Sequence, residues 1–336
     1  MKERKNSVVL FSMMALAVLI LFACNLALGS VRIPFADVVR ILSGSFTGRE
    51  TWRHIVLDSR LPQAVTALFA GASLATSGLL LQTLFRNPLA GPSILGISDG
   101  ANLGVALVMI YFSATSYIST ILAAFVGALA VLAIIIGFSH KVNNNVMLLI
   151  IGIMVGYLAS SLISIINFHA SADRVHQFVI WGMGDFSGVS LEKLPYYAAF
   201  AIFGLLAAML LIKPLNALLL GESYASNLGV NVRRSRFFIL ICTGILTAST
   251  TAFCGPISFI GLAVPHIARL LLGTSNHKQL VPVTILSGSA TALLCNVLTV
   301  MPGGNEVLPL NAITALIGAP VIIYVIVNRR NIQYFS

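Results

Sequence analysis

Windows of about twenty consecutive apolar residues are long enough to cross the hydrocarbon core of a bilayer as a helix, and this chain is built almost wholly from them. They lie near residues 8–28, 63–84, 93–112, 118–138, 146–168, 196–212, 237–253, 257–272, 280–300 and 310–327. In hydrocarbon every backbone N–H and C=O must find a partner inside the protein, and a helix supplies one locally. The pattern predicts an all-α, polytopic membrane protein of about ten transmembrane helices, folded as one domain over residues 1–336. Composition agrees: 58% of the residues are hydrophobic and 9% charged, against about 25% charged in soluble domains.

A net charge of +10 could mark a nucleic-acid binder, but the charges are sorted by side. With the N-terminus inside, Lys2, Arg4, Lys5, Arg86, Lys141, Lys213, Arg233, Arg234, Arg236, Arg269, Lys278, Arg329 and Arg330 fall on the inner side. Arg32, Arg40, Arg49, Arg53, Arg60, Arg174 and Lys193 fall on the outer side, with most of the acids, Glu306 among them. This bias is the positive-inside rule. It places both termini in the cytoplasm and gives no reason to invoke nucleic acid.

Motifs of catalysis are absent from the sequence. It has no G-x-x-x-x-G-K-[ST] phosphate loop, no H-E-x-x-H and no G-x-S-x-G, and its six histidines are scattered. No catalytic residue, metal site or cofactor is expected. Cys24, Cys242, Cys254 and Cys295 lie in apolar spans without ligand spacing and read as packing residues. The "LFAC" stretch ending at Cys24 imitates a lipoprotein signal, but the bulky Phe22 argues against cleavage, and the segment is counted as a span. An ion-coupled carrier would need ionisable groups inside the membrane. Asp99, His266 and Arg269 alone fall within or at the end of a span.

The stretch "RNPLAGPSILGISDGA", Arg86 to Ala101, interrupts this apolar sequence with helix breakers. Pro88 and Pro92 cannot donate within a continuing helix. The chain must turn there, ending the second span and starting the third, and non-helical backbone at that depth has to be buried in protein or line a cavity. "GPSILGI" at 91–97 is echoed by "GPISFIGL" at 255–262 after an odd number of crossings, which predicts copies entering from opposite sides, the pattern of an inverted repeat. The longest inner loop, about 214–236, holds "ESYASNLGV", which reads as a short amphipathic helix stopped at Gly229 and suited to the groove of a soluble partner.

Taken in order and spacing, "SRLPQAVTALFAGASLATSGLLLQTLFRNPLAGPSILGISDGA", "WGMGDFSGV", "GESYASNLGV", "GPISFIGLAVPHIARLLLG" and "LPLNAITALIGAPV" span nearly the whole chain. With these blocks it resembles the FecCD-type permeases of bacterial ABC importers for ferric siderophores, haem and cobalamin. The resemblance implies an inner-membrane subunit that works beside a second permease, two cytoplasmic ATPase subunits and an extracytoplasmic binding protein. By the same resemblance, Glu222, Ala225, Leu228, Gly229 and Val230 couple to the ATPase. Asn87 and Leu89, with Asn144, Asn145 and Val146, form cytoplasmic gates, the fifth and tenth spans line the path, and the segment around Trp181 forms a short outer helix. Arg60, with Arg53 nearby, is expected to meet the binding protein. Ferric siderophore is the first expectation for cargo, haem or cobalamin the second, and an ion-coupled secondary transporter the remote alternative.

The chain departs from that pattern in places. The arginine usual after "RLP" is Gln63, an aspartate and an arginine near the end of the ninth span are Asn296 and Val300, and the usual "ELPVG" reads "VLPLN" at 307–311. These losses weaken the outer charged surface, so a heterodimer with a second, different permease is expected over a homodimer.

Overall fold

The computed structural model describes residues 2–112, 116–142, 144–300 and 307–327, with side chains from Val9 onward. Glu306, Arg329 and Arg330 lie outside the described residues. The described chain is almost wholly helical: α1 Lys2–Ala27, α2 Phe35–Leu42, α3 Glu50–His54, α4 Leu61–Phe85, α5 Ile97–Ala106, α6 Tyr117–Lys141, α7 Asn145–Phe168, α8 Ala172–Gly182, α9 Leu194–Leu210, α10 Ile212–Leu219, α11 Glu222–Asn227, α12 Val232–Cys254, α13 Ile260–Leu272, α14 His277–Thr299 and α15 Leu310–Val327. Seven helices are long and apolar enough to span a membrane, α9 and α10 form a bent pair, and 97–111 and 260–272 are shorter apolar helices. Together these account for the ten segments read from the sequence.

The centre is α4, buried along most of its length. Its residues explain why: Ala67, Ala70, Gly71, Ala75 and Gly78 recur on faces where neighbouring backbones come close, the device of small-residue packing in membranes. A Cβ at Gly71 would overlap the carbonyl oxygen of Gly288 in α14, and one at Gly288 would overlap that of Gly71. Ser77 shares a 2.9 Å hydrogen bond with Thr247 of the antiparallel α12. The same device seats α5 on α6 through Gly100, Gly104 and Gly127. By contrast α7 buries one stripe, Leu148, Gly152, Gly156 and Ala159, and is otherwise open.

Three boundaries differ from the sequence reading. The second span runs on outward, because Glu50–Phe85 is continuous helix of 36 residues. Pro62, which has no N–H to give, follows a π-helical turn at Ile55–Arg60, so the helix accommodates the proline without breaking. The third span begins with a 3-10 turn, Pro92–Leu95, and becomes α-helical only at Ile97. The sixth span bends by 52° between α9 and α10, where the ring of Pro214 would clash with the carbonyl one turn back. Trp181 lies in the last turn of α8, a helix that starts earlier, at Ala172.

The two Gly-Pro segments behave as a matched pair. One leaves the Phe85 end of α4 and the other leaves the Cys254 end of α12, at opposite ends of two antiparallel helices. Both reach the same depth, where a Cβ at Gly261 would fall 2.8 Å from Pro92 Cδ and one at Gly78 would overlap the carbonyl of Gly261. This is the inverted arrangement of broken spans. Phe259, just before α13, holds a left-handed conformation (φ 66) that a bulky residue tolerates only when packing enforces it. Its ring lies against Gly318 of α15.

Replacement of Gly78 or Gly71 by Val is expected to lower thermal stability in detergent, by about 1–3 kcal/mol if the helices can shift. Gly137→Ala, on α6 with nothing near its Cβ position, should leave the melting curve unchanged or slightly raised.

Candidate functional site

Polar side chains gather at the two ends of the bundle. At the lower end, defined as the one carrying α11, the chain after α10 turns at Gly221 (φ 106) and forms the two turns of α11. Its close is a Schellman motif: Val230 N donates to Ala225 O at 3.0 Å and Gly229 N to Ser226 O at 2.9 Å, with Gly229 left-handed (φ 81), the conformation glycine adopts without a Cβ penalty. Ala225 is fully buried and Val230 packs on the core, so both hold the loop down. Tyr224 and Leu228 point outward, 53% and 58% exposed.

Glu222 opens α11 and ties it inward. Its Oε1 accepts from Asn145 Nδ2 at 2.7 Å and from Arg236 Nη2 at 2.9 Å. Asn145 Nδ2 also donates to Leu84 O at 2.9 Å, in the last turn of α4, and Arg236 Nη1 donates to Val142 O at 3.2 Å. Asn144 caps α7 by accepting from Val146 N at 2.8 Å, and Val146 is exposed. On the other candidate gate, Asn87 Oδ1 accepts from Leu89 N at 2.9 Å, closing the turn that leaves Leu89 exposed. That turn is anchored to α13: His266 Nε2 donates to Pro88 O at 2.7 Å, and Arg269 Nη1 donates to Gln82 Oε1 at 2.6 Å. Gln82 Nε2 in turn donates to Leu262 O at 3.1 Å. His277 joins Thr83 (2.8 Å) and Asn216 (3.0 Å) beside it. The structure thus joins Asn145 to the turn of α4 just before Asn87, while Asn87 and Asn144 each serve their own loop.

At the upper end a cavity of about 580 Å³ is lined by Asn25, Arg60, Gln63, Asp185, Asn296 and Leu308, among others. Gln63 Nε2 donates to Asn296 Oδ1 (3.1 Å), and Asn296 Nδ2 to Asn25 Oδ1 (2.6 Å). Asn25 Nδ2 closes the chain on Leu293 O at 3.0 Å. Two of the sequence departures therefore satisfy each other inside the chain. A third, Asn311, pins the start of α15 by donating to Pro256 O (2.7 Å) and Gly182 O (3.1 Å) and accepting from Ser258 N (3.0 Å).

Arg60 lines that cavity from a largely buried position: its guanidinium donates to Leu26 O at 2.9 Å, Ala27 O at 2.8 Å and Val31 O. These are carbonyls at and just beyond the end of α1, left without partners by the helix itself. Arg53, one helical segment earlier, is exposed. Sequence reasoning treated Arg236 only as a topological charge, although as the basic residue nearest the apolar run of α12 it was the one that most needed a partner. Gln82 and Asn25 carried no signal beyond being amides within apolar spans.

These groups hold helices and turns to one another, and α1, α6, α7, α9 and α15 leave broad apolar faces open, as a multi-pass membrane protein does. The chain belongs to the FecCD transport family, whose model matches residues 16–328. It is 33% identical over 94% of its length to the hemin transport system permease of Yersinia pestis, covering 96% of that protein. It is 34% identical to the vitamin B12 import system permease of Photorhabdus laumondii, covering 84% of each chain. It is equally 34% identical to the molybdate import system permease of Haemophilus influenzae, covering 91% of this chain and 92% of the other. A solved inward-facing transporter of metal-chelate type superposes with a TM-score of 0.83 at 30% identity, covering 95% of this chain and 98% of that one. The chain is a permease subunit, and ATP hydrolysis is the task of a separate subunit.

Arg60→Met leaves the carbonyls of Leu26, Ala27 and Val31 without their donor, and a loss of about 1–3 kcal/mol is expected, read as a lower melting temperature in detergent. Arg53→Met should melt like the parent protein.

Proposed function

We propose that this chain is one of a pair of permeases in an ATP-driven importer that receives a metal chelate from an extracytoplasmic binding protein and releases it into the cytoplasm, with ferric siderophores the first candidate cargo. The observation that carries the reading is α11, a short helix closed by Gly229 and anchored through Glu222, Ala225 and Val230, whose tip residues Tyr224 and Leu228 stay exposed. Apolar side chains on a small rigid helix suit the groove of a soluble partner, here an ATPase subunit, and on this reading the lower end is cytoplasmic. Asn87, Leu89, Asn144, Asn145 and Val146 then surround the inner mouth. Polar amides beside aliphatic tips serve a gate that hydrates and closes without a fixed charge. The open faces of α7 and α15 line the path or meet the second permease.

Hemin and vitamin B12, the cargoes in the names of two relatives, are large metal chelates, and the solved neighbour is of metal-chelate type. The molybdate relative is as similar as these. That supports a permissive path, with selection made by the binding protein and weak affinity along the route so that cargo can leave. Haem is the second reading, because the hemin relative matches over nearly the full length of both chains. An ion-coupled mechanism loses support because two of the three ionisable groups noted in the spans are engaged in packing, His266 with Pro88 O and Arg269 with Gln82 of α4, which leaves Asp99. Gln63, Asn296 and Asn311 are engaged inside the chain as well, so of the departures only Val300 and Val307 still speak for a heterodimer.

In liposomes carrying the permease pair, ATPase and binding protein, uptake of ferric siderophore is expected to require ATP and to exceed that of haem and cobalamin. Leu228→Arg and Gly229→Asp should each lower both ATPase co-purification and uptake at least about tenfold, the scale of a charge forced into an apolar groove. Full uptake with both variants, or uptake without any ATPase, would overturn the reading. Arg53→Glu is expected to slow association of the binding protein and to flatten its salt dependence, measured by surface-captured binding kinetics.

A further inference from the structure

We propose that the carboxylate of Glu222 is the joint through which the coupling loop moves the gate, with Asn145 and Arg236 as its positioning residues. This rests on the reading of α11 as the ATPase-facing helix, and it assigns how motion there reaches the inner mouth.

One oxygen of Glu222 carries the connection. It receives Asn145 at 2.7 Å and Arg236 at 2.9 Å. Through Asn145 it reaches the first residue of α7 and the last turn of α4, and through Arg236 it reaches α12 and the backbone just before α7 at Val142. Such bonds involve an ionised partner and are short, directional and stronger than neutral ones. The side chain of Arg236 is only 7% exposed, and that of Glu222 37%. A displacement of α11 by an ångström or more must either stretch these bonds past their working range or carry their partners along. Stretching separates a buried guanidinium from its carboxylate, which costs more than letting a loosely packed neighbour slide.

Which partner follows is decided by packing. Helices α4 and α12 are buried through most of their length and interlocked with their neighbours. Helix α7 is held along one stripe: Gly152 and Gly156 lie against Leu95, Gly96 and Asp99, and most other residues are open. It is the light element of the joint. Asn145 stands between Asn144 and Val146, so a pull on its side chain is a pull on that gate. Its Oδ1 is buried with no hydrogen-bond partner among the described residues, so the side chain is held from the Nδ2 side alone.

The test uses the whole transporter in liposomes, reading substrate imported per ATP hydrolysed. Asn145→Leu removes both donated bonds at similar volume, and Asn145→Asp sets a second carboxylate against Glu222. Each is expected to lower that ratio about tenfold, the scale of one hydrogen bond to a charged group, while ATPase co-purifies in full. Asn145→Asp combined with Glu222→Gln exchanges donor and acceptor across the joint and should recover the ratio to within about threefold of the parent. This double variant decides the matter if Asn145→Leu fails to assemble. A parallel fall of hydrolysis and uptake with the ratio unchanged, an unchanged ratio in all variants, or a double variant no better than Asn145→Asp would overturn the proposal. Leu228→Arg, run alongside, separates the two readings: if it blocks ATPase association while the Asn145 variants keep their ratio, the joint fails and the docking helix stands. If Leu228→Arg is also silent, the docking reading fails with it.

Discussion

The packing of α4 against its neighbours depends on bringing backbone to within touching distance where Gly78, Gly261 and Pro92 meet. Two spans are broken there, and in hydrocarbon the peptide groups freed by a break must be enclosed by protein. Enclosure requires that no side chain intervene, so the seam is written in residues with little or no Cβ volume. Once α4 is sealed against α13 and α14 in this way, its Phe85 end fixes the Pro88 turn, and α13 can reach that turn with His266 and the end of α4 with Arg269. The polar network at the lower end exists because the apolar seam above it sets the distance between helices.

Much of this was legible in the sequence because it is local. Runs of apolar residues fix the spans, Pro88, Pro92 and Gly96 fix the interrupted third span, and Gly229 fixes the end of α11. Each of these signals acts within a turn or two of itself. What the sequence withheld is which distant residues meet. Gln63 and Asn296 read as two separate losses of charge, and only the fold shows that they answer one another across α4 and α14. Arg60 read as an outward charge because it stands between an apolar span and an outer loop. The missing knowledge was that the end of α1 folds back over it, offering three carbonyls. The second span read as starting near residue 63, since a π-helical turn leaves no compositional mark.

The same contrast separates the candidate gate residues. Asn87 and Asn144 cap their own turns, as asparagine does near helix ends in any protein. Asn145 alone reaches across elements, to α4 and to Glu222. Adjacent amides in "NNN" are indistinguishable as letters, and the helical phase of α7 decides that one faces inward while its neighbour caps.

The reciprocal contact of Gly71 with Gly288 also constrains how such a chain can change over generations. At most packed sites a larger side chain can be accommodated by trimming its neighbour, so two substitutions restore what one disturbs. Here each glycine is opposed by the main-chain oxygen of the other, an atom that no substitution removes. Neither position can be rescued by a change at its partner. The α4–α14 seam is therefore closed to compensatory drift, and the chain's freedom to diversify lies in its outer loops and in the open faces of its peripheral helices.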